Sequence, residues 1–299
     1  MKLYTPSETA ALLPYPALVA ALKAVLLDGL AFAPERSKLE LPDGVLLLMP
    51  ARDEQLAITK LVSVHMGNTA HNLPIIQGEV IVMQAQTGRR LLMLDGVTVT
   101  ARRTAAVSLL AAQTLAANTQ TPLLIIGAGA QARSHLEAFA VGLGVREVLV
   151  HTRSPARVET LLADAERLGV TLHSTNNVPK ALEQCALIVT ATNATSPVIP
   201  DLVRQDAFIA AVGAFRPEML EIPSTIVHRA ALYVDWLEGA RHEAGDLLQA
   251  GVDWATVKPL AEVLHQTTPN QGLTLFKSVG HALWDLAAAR CALQILGGQ

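Results

Sequence analysis

The chain has 299 residues, of which 51% are hydrophobic and 16% charged, and its formal net charge is −3. This composition supports a sizeable core and excludes the disordered class. The slightly acidic balance argues against a nucleic-acid partner, because such proteins need a basic face. No apolar run reaches the roughly 20 residues of a transmembrane helix, so we expect no membrane partner.

The first residues and the cysteines indicate the cellular compartment of the protein. The first residues, from Met1 to Pro6, lack the basic and then apolar layout of a signal peptide. Cys185 and Cys291 lie far apart and without metal-ligand spacing. We therefore expect no disulfide framework, no metal site and a cytoplasmic location.

The first 117 residues predict an α+β domain with an antiparallel or mixed sheet. Apolar spacing after Ser7, the predicted cap, indicates one helix that continues to Leu26. Turn residues then separate four β-like stretches, at 44–49, 56–64, 80–84 and 90–94. The Ala- and Leu-rich residues 101–117 predict a helix that links two domains.

After Pro122 short, continuously apolar runs alternate with helical intervals, which is typical of a parallel sheet covered on both faces. The predicted strands are 123–126, 147–151, 170–173, 187–191, 208–212 and 232–234. This pattern predicts a doubly wound α/β fold, a Rossmann domain over 118–276. A final amphipathic helix, 281–296, returns to the first domain, which then comprises 1–117 and 277–299.

A glycine turn at Gly127 and Gly129 follows the first of these strands and precedes a helix. The first glycine permits the tight turn, and the second lets the backbone approach a pyrophosphate. Ala132 lets helix and strand pack closely. Ala130 and Gln131 begin the helix, whose free amides and dipole suit phosphate groups. These residues predict a dinucleotide site.

The end of the next strand indicates which dinucleotide is used. NAD enzymes usually carry an acidic residue there for the ribose hydroxyls. Residues 150–157 contain no carboxylate. Thr152 and Ser154 instead offer hydroxyls to a 2′-phosphate, and Arg153 and Arg157 offer charge. We therefore predict NADPH as the cofactor, with NADH as the less favoured alternative.

Further motifs follow one another through nearly the whole chain: Leu48-Met49-Pro50-Ala51, Lys60, Asn68-Thr69-Ala70-His71-Asn72-Leu73-Pro74, Thr87-Gly88, Thr100-Ala101-Arg102-Arg103-Thr104-Ala105-Ala106 and Phe276-Lys277-Ser278-Val279-Gly280. Together with the glycine turn, they resemble the motifs of the ornithine cyclodeaminase/mu-crystallin family. The resemblance implies a homodimer in which the first domain and the last helix bind substrate and form the dimer.

The family grips a substrate carboxylate with basic residues, and the matching positions here are Arg36, Lys60 and Arg103. This is reasonable chemistry, because a guanidinium meets a carboxylate in a bidentate fork and lysine adds a point charge. The resemblance therefore implies a substrate clamp, in which Lys60 and Arg103 also act in catalysis.

Two departures from the family pattern indicate the reaction. The cyclodeaminases carry a glutamate where Leu47 stands and a catalytic aspartate where Phe215 stands. Cyclodeamination needs a base, which phenylalanine cannot supply. A cyclic imine needs only the clamp, an apolar wall and a hydride donor. We predict NADPH-dependent reduction of a cyclic imino acid, Δ1-pyrroline-2-carboxylate or Δ1-piperideine-2-carboxylate, with Leu47 and Phe215 against the ring.

Other residues complete the predicted site. His65 is the candidate proton donor, since histidine commonly serves as a general acid near neutral pH. Asp235 and Glu79 are weaker candidates. Thr192 and Asn193 follow the fourth strand of the second domain, and we expect Asn193 to face the nicotinamide or the ribose.

Three alternatives stay open at this point. An alanine or N-alkyl amino-acid dehydrogenase would run the same imine chemistry on an acyclic keto acid and an amine. A crystallin-like protein would hold NADPH and a ligand without turnover. A cyclodeaminase would need a relocated base. Ring size is not set by the sequence.

Overall fold

The computed structural model describes residues 1–265 and 269–298, without the side chain of Thr69. The chain forms two compact units: unit 1 is Met1–Arg103 with His281–Gln299, and unit 2 is Thr104–Gly280. The sequence predicted domain boundaries after residue 117 and before residue 277, whereas the two units divide after Arg103 and before His281. The difference arises because one continuous helix crosses the first division, so the chain changes unit inside the helix rather than at its end.

Two helices begin unit 1, where the sequence predicted one: α1 (Pro6–Ala11) and α2 (Tyr15–Asp28). Thr5, rather than Ser7, caps α1. Its hydroxyl accepts a hydrogen bond from the Glu8 amide, and the Glu8 carboxylate accepts one from the Thr5 amide. Pro14 has no amide hydrogen with which to continue the first helix and is extended, so a second helix begins after it.

Unit 1 contains a six-stranded sheet in the order β1-β6-β5-β4-β3-β2. Its strands are β1 (Lys2–Leu3), β2 (Ser37–Leu41), β3 (Gly44–Arg52), β4 (Leu56–Val64), β5 (Ile76–Gln84) and β6 (Arg90–Asp95). Neighbours are antiparallel except β1 and β6, which confirms the predicted mixed sheet. The sequence did not predict β1, which is two residues long, or β2, a largely exposed edge strand without an apolar run.

The linking helix α3 (Gly96–Leu115) begins five residues earlier than predicted. The elements of unit 2 follow it. They are β7 (Leu123–Ile126), α4 (Ala130–Gly142), β8 (Glu147–His151), α5 (Val158–Arg167), β9 (Thr171–Ser174), α6 (Val178–Gln184), β10 (Leu187–Thr190), β11 (Phe208–Ala211), α7 (Ser224–Arg229), β12 (Ala231–Val234), α8 (Leu237–Glu243), α9 (Gly245–Ala250), β13 (Lys258–Pro259), α10 (Leu260–Val263) and β14 (Thr274–Lys277).

The eight strands of unit 2 form one parallel sheet in the order β13-β12-β14-β11-β10-β7-β8-β9. This confirms the Rossmann prediction, and each predicted strand is found within one residue at either end. The chain order reverses at β7, which lies between β8 and β10. Ligands of such sheets bind outside the carboxyl ends of the strands at this point. The sequence analysis does not predict β13, which has two residues, or β14, which has four residues and is polar at both ends.

The last helix, α11 (Ala282–Gly297), packs on α2, β3 and β4 of unit 1. It thereby covers the face of the sheet to which Ile58, Lys60 and Val62 point, since all three are buried. Within residues 1–265 and 269–298, no helix is both long enough and apolar enough to cross a bilayer.

Candidate active site

A buried ion cluster joins the sheet of unit 1 to α11. The Lys60 ammonium lies 3.0 Å from Asp285 Oδ1, to which it donates, and 2.8 Å from Oδ2. Arg103 Nε lies 3.3 Å from Asp285 Oδ1. All three side chains are buried, Asp285 completely. The structure therefore brings together Lys60 and Arg103, the two predicted clamp residues with catalytic roles.

The cluster carries excess positive charge, because two cations face one carboxylate. Burial lowers the pKa of Lys60 to about 8; Asp285 opposes this shift, while the charges of Arg103 and Arg36 add to it. A buried charge is stable only when it is paired. One further anion beside Lys60 would balance the charge of the cluster.

Arg36 and Leu47, two other predicted substrate residues, lie near this cluster. Arg36 is half-buried and close enough to Lys60 to influence its pKa. Leu47 points to the same face of the sheet as Lys60, because Met49 pairs with Lys60 and Leu47 is two residues away on the same strand. An apolar side chain therefore borders the cluster where the cyclodeaminases carry an acid.

The predicted proton donors do not join the cluster. His65 lies beyond the end of β4, five residues and thus roughly 16 Å along the chain from Lys60. Its ring rests against Gly44. Glu79 is adjacent to Val80, the residue paired with Lys60, and so points to the opposite face of the sheet. Asp235 is a buried acceptor for Ser278 Oγ and the Gly280 amide, and its role is to hold that turn.

The sequence alone does not identify Asp285 as a site residue. It is an acid in a helix segment whose neighbours Trp284 and Leu286 are also buried. A buried charge in an apolar segment needs a partner of opposite charge. An acid at this position therefore indicates a buried ion pair. The partner itself was not readable, because Lys60 lies 225 positions away.

The glycine turn of unit 2 has the geometry that a dinucleotide needs. Gly127 has φ 118°, and a side chain there would collide with the carbonyl oxygen of Ala191 at the end of β10. Gly129 precedes α4 in an extended conformation, and a Cβ at this position would meet open space. Ala132 is fully buried. The turn is therefore tight at its first glycine and open to a ligand at its second.

Two observations at the start of α4 fit a bound pyrophosphate. No side chain caps the helix, so its first amides are left for a ligand. The side-chain oxygen of Gln131 is buried and, within the described part of the chain, has no hydrogen-bond partner. Ala130 at the first helical position is exposed.

The predicted 2′-phosphate residues lie beside this turn. The Gly127 amide donates to the His151 carbonyl at 2.8 Å, which sets the turn next to the end of β8. Thr152 is half-buried, and its hydroxyl accepts from the Ser154 amide at 3.1 Å. Arg153, Ser154 and Arg157 are exposed. The structure thus presents two guanidinium groups and a serine hydroxyl to solvent at this edge.

Residues after β10 and β11 complete the carboxyl edge. The Ala191 amide donates to the Ile126 carbonyl at 2.9 Å, so Thr192 and Asn193 follow close to the glycine turn. Asn193 is exposed, whereas Thr192 is held by a buried carboxylate, Glu221. Phe215 follows β11 and is 42% exposed, so its ring is available to a ligand.

The chain is similar in sequence to a known protein family. The sequence model of the ornithine cyclodeaminase/mu-crystallin family matches residues 15–295. The chain is 42% identical over 302 aligned residues to Delta(1)-pyrroline-2-carboxylate reductase 1 of Burkholderia multivorans, covering 99% of this chain and 96% of that protein. It is 41% identical to the Delta(1)-pyrroline-2-carboxylate/Delta(1)-piperideine-2-carboxylate reductase of Azospirillum brasilense, with the same coverage.

A solved structure shares the whole fold. Delta(1)-pyrroline-2-carboxylate reductase of Thermococcus litoralis, in complex with NADH and L-proline, superimposes with a TM-score of 0.91. Its sequence is 27% identical, and the match covers 100% of this chain and 98% of that one. That protein was solved with a nicotinamide dinucleotide and a cyclic amino acid bound.

Proposed function

The chain belongs to the ornithine cyclodeaminase/mu-crystallin family, and from this premise we propose that it reduces cyclic imino acids with NADPH. The substrates are Δ1-pyrroline-2-carboxylate and Δ1-piperideine-2-carboxylate, and the products are L-proline and L-pipecolate. The observation that carries the proposal is the ion cluster of Lys60, Arg103 and Asp285, which has one positive charge to spare. The names and bound molecules of the relatives support it.

The roles that we propose for the residues follow from charge and shape. Lys60, Arg103 and Arg36 bind the substrate carboxylate, which neutralises the surplus charge of the cluster. Asp285 orients Lys60 and Arg103 before substrate arrives. Leu47 and Phe215 line the ring of the substrate. Binding in this manner fixes the imine carbon in position for reaction.

A nicotinamide dinucleotide held at the glycine turn would supply a hydride to the imine carbon. The C=N double bond becomes a C–N single bond, and its electron pair takes up a proton at nitrogen. We assign that proton to solvent, because His65 lies against Gly44 at the far end of β4. Neither Leu47 nor Phe215 can act as the base that a cyclodeaminase requires.

We further propose NADPH rather than NADH. Support comes from the end of β8, where residues 150–157 carry no acid and Arg153 and Arg157 are exposed. The glycine turn would hold the pyrophosphate, with Gly129, Ala130 and Gln131 contributing. The measurement is the ratio of kcat/KM for NADPH and NADH with the same imine, and a preference for NADH would refute the assignment.

The family resemblance also implies a homodimer, and we propose that the open face of the unit 1 sheet forms it. The face opposite α11 carries apolar side chains that keep part of their surface exposed: Leu46, Leu48, Leu61, Ile81, Met83, Leu91 and Met93. A contiguous apolar face of this kind typically marks an interaction site. A second copy of the chain would cover it. We place the enzyme in a reducing cytoplasm, which its two free cysteines suit.

The test of the reaction is an assay of NADPH oxidation with each cyclic imine, and separately with pyruvate plus ammonia or methylamine. Turnover with a cyclic imine and formation of the cyclic amino acid are expected. Turnover only with the keto acid and amine would identify an amino-acid dehydrogenase. Tight NADPH binding without turnover would identify a binding protein, and release of ammonia from ornithine would identify a cyclodeaminase.

Two neighbouring arginines allow a matched test of the clamp. Arg103 is part of the ion cluster, whereas Arg102 donates to the Leu13 carbonyl and stacks on Tyr15. R103M should raise the KM for the imine about 100-fold or more, because a charge-assisted contact to the carboxylate is lost. R102M should lower the melting temperature and leave the KM near that of the wild type. Normal kinetics in R103M would disprove the clamp assignment.

A further inference from the structure

Glu221 is a fully buried carboxylate at the carboxyl edge of the unit 2 sheet, and the proposed mechanism does not use it. Five donors converge on its two oxygens. Oε1 accepts from the amide and the hydroxyl of Thr192, at 2.7 and 2.9 Å. Oε2 accepts from Thr190 Oγ1 at 3.0 Å, from the Gly213 amide at 2.8 Å and from the Ala214 amide at 3.2 Å.

This carboxylate joins the ends of two neighbouring strands. Thr190 and Thr192 belong to the end of β10, and Gly213 and Ala214 follow β11. The two strand ends approach so closely that a side chain at Gly213 would collide with Thr192 and with the Glu221 carboxylate. One group thus sets the spacing of the segments that carry Thr192 and Phe215.

Glu221 is itself held by a second buried pair. Asp246 Oδ1 accepts from the Glu221 and Ile222 amides at 2.6 and 2.9 Å. Lys277, at the end of β14, lies 2.8 Å from Asp246 Oδ2, and both side chains have no exposed surface. The position of Glu221 is therefore fixed by three strand ends and does not depend on solvent.

Burial raises the pKa of Glu221, and the charge of Lys277 opposes this shift. Three backbone amides, which can only donate, face its two oxygens, so the Glu221 carboxyl group is an acceptor in this site. It is surrounded by protein and offers no lone pair to a substrate. Glu221 is consequently no substitute for the catalytic aspartate that Phe215 replaces, although the two positions are six residues apart.

We infer that Glu221 is a positioning residue for hydride transfer, which fixes the segments after β10 and β11 against the nicotinamide end of the cofactor. The inference rests on the proposed function, because it needs a nicotinamide dinucleotide at this edge. Displacement of reacting groups by about 1 Å can cost about 100-fold in rate. Loosening Glu221 should therefore affect the nicotinamide end of the site and spare the adenosine end.

E221Q is the variant of choice, because it keeps the shape and replaces one acceptor oxygen with an amide that meets donors. We expect kcat to fall about 10- to 100-fold. The Kd for 2′-phospho-ADP-ribose, which lacks the nicotinamide, should stay within about twofold of the wild type. The fluorescence of bound NADPH should change, because the surroundings of the nicotinamide change. D206N is the matched control, since Asp206 pairs with Arg204 just before β11 begins, at the opposite end of that strand.

Two outcomes would overturn the inference. A kcat within about threefold of the wild type would overturn it. Equal weakening of 2′-phospho-ADP-ribose and NADPH would also overturn it, because Glu221 would then only hold unit 2 together. If E221Q does not fold, the same measurements are made on E221D. Its shorter side chain cannot reach the segments after β10 and β11 together. Should the wild type bind NADPH and reduce no imine, the proposed function fails while the fluorescence still tests Glu221.

Discussion

Lys60 combines burial with a charge that the proposed carboxylate clamp requires. Its pKa is lowered to about 8, chiefly by burial, so the side chain is a cation below that pH and neutral above it. The neutral form attracts no carboxylate. Affinity for an anionic ligand should therefore be constant below pH 8 and decline above it.

The measurement is the inhibition constant of pyrrole-2-carboxylate, a planar carboxylate that does not titrate in this range. We expect it to be flat from pH 6 to 7.5 and to rise about tenfold per pH unit above 8. K60R should abolish the rise, because a guanidinium stays charged throughout this range. An equal rise in both proteins, or none below pH 9.5, would assign the charge change to another group.

The role of a residue can be predicted from the sequence when its partners lie in the same short motif. Gly127 and Gly129 were identified because a glycine turn between a strand and a helix has a local pattern. Asp285 and Glu221 were not, since each acts on residues that only the folded chain brings to it. The clamp residues Lys60 and Arg103 were found only through the family resemblance.

At the level of elements, the buried parallel strands were predictable and the marginal strands were not. Continuous apolar runs such as β7 and β8 match a covered sheet, and both were predicted with their observed bounds. The exposed edge strand β2 is defined by its pairing with β3, and no local pattern carries that information. The break between α1 and α2 was readable at Pro14 and was overlooked.

The contact between α3 and α4 contains a buried histidine that makes stability pH-dependent. His135 Nδ1 lies 2.7 Å from the Gln131 carbonyl, to which it must donate, so Nε2 accepts from Ser108 Oγ at 2.9 Å. Burial lowers the pKa of His135 to about 4. The unfolded chain takes up a proton near pH 6.5 while the folded chain does not, so stability is lost as the pH falls from 6.5 towards 4.

Between pH 6.5 and 5 this histidine should account for about 2 kcal/mol of lost unfolding free energy. H135Q should be less stable than the wild type at pH 7 but should lose about 2 kcal/mol less on acidification. Urea unfolding at both pH values checks this. H173Q is the control, because His173 is exposed on β9. The same loss on acidification in H135Q as in the wild type would contradict the prediction.

At the scale of the whole molecule, the open sheet face of unit 1 should determine the oligomeric state. Ile81 lies on this face, paired with Thr59 and Met93. A glutamate there would have to be buried in the proposed dimer, so I81E should shift the protein from dimer to monomer in sedimentation velocity. L202E is the control, since Leu202 is 57% exposed in unit 2. A wild-type monomer at micromolar concentration would disprove the dimer.

Unit 2 is one uninterrupted stretch of chain, whereas unit 1 is assembled from both ends. This has a consequence for biosynthesis. Asp285 leaves the ribosome 225 positions after Lys60, and only then does α11 exist to cover that lysine. Until translation reaches α11, Lys60 lacks the carboxylate that pairs with it in the folded chain. The buried ion cluster therefore forms only after both the β4 segment and the α11 segment have been synthesised.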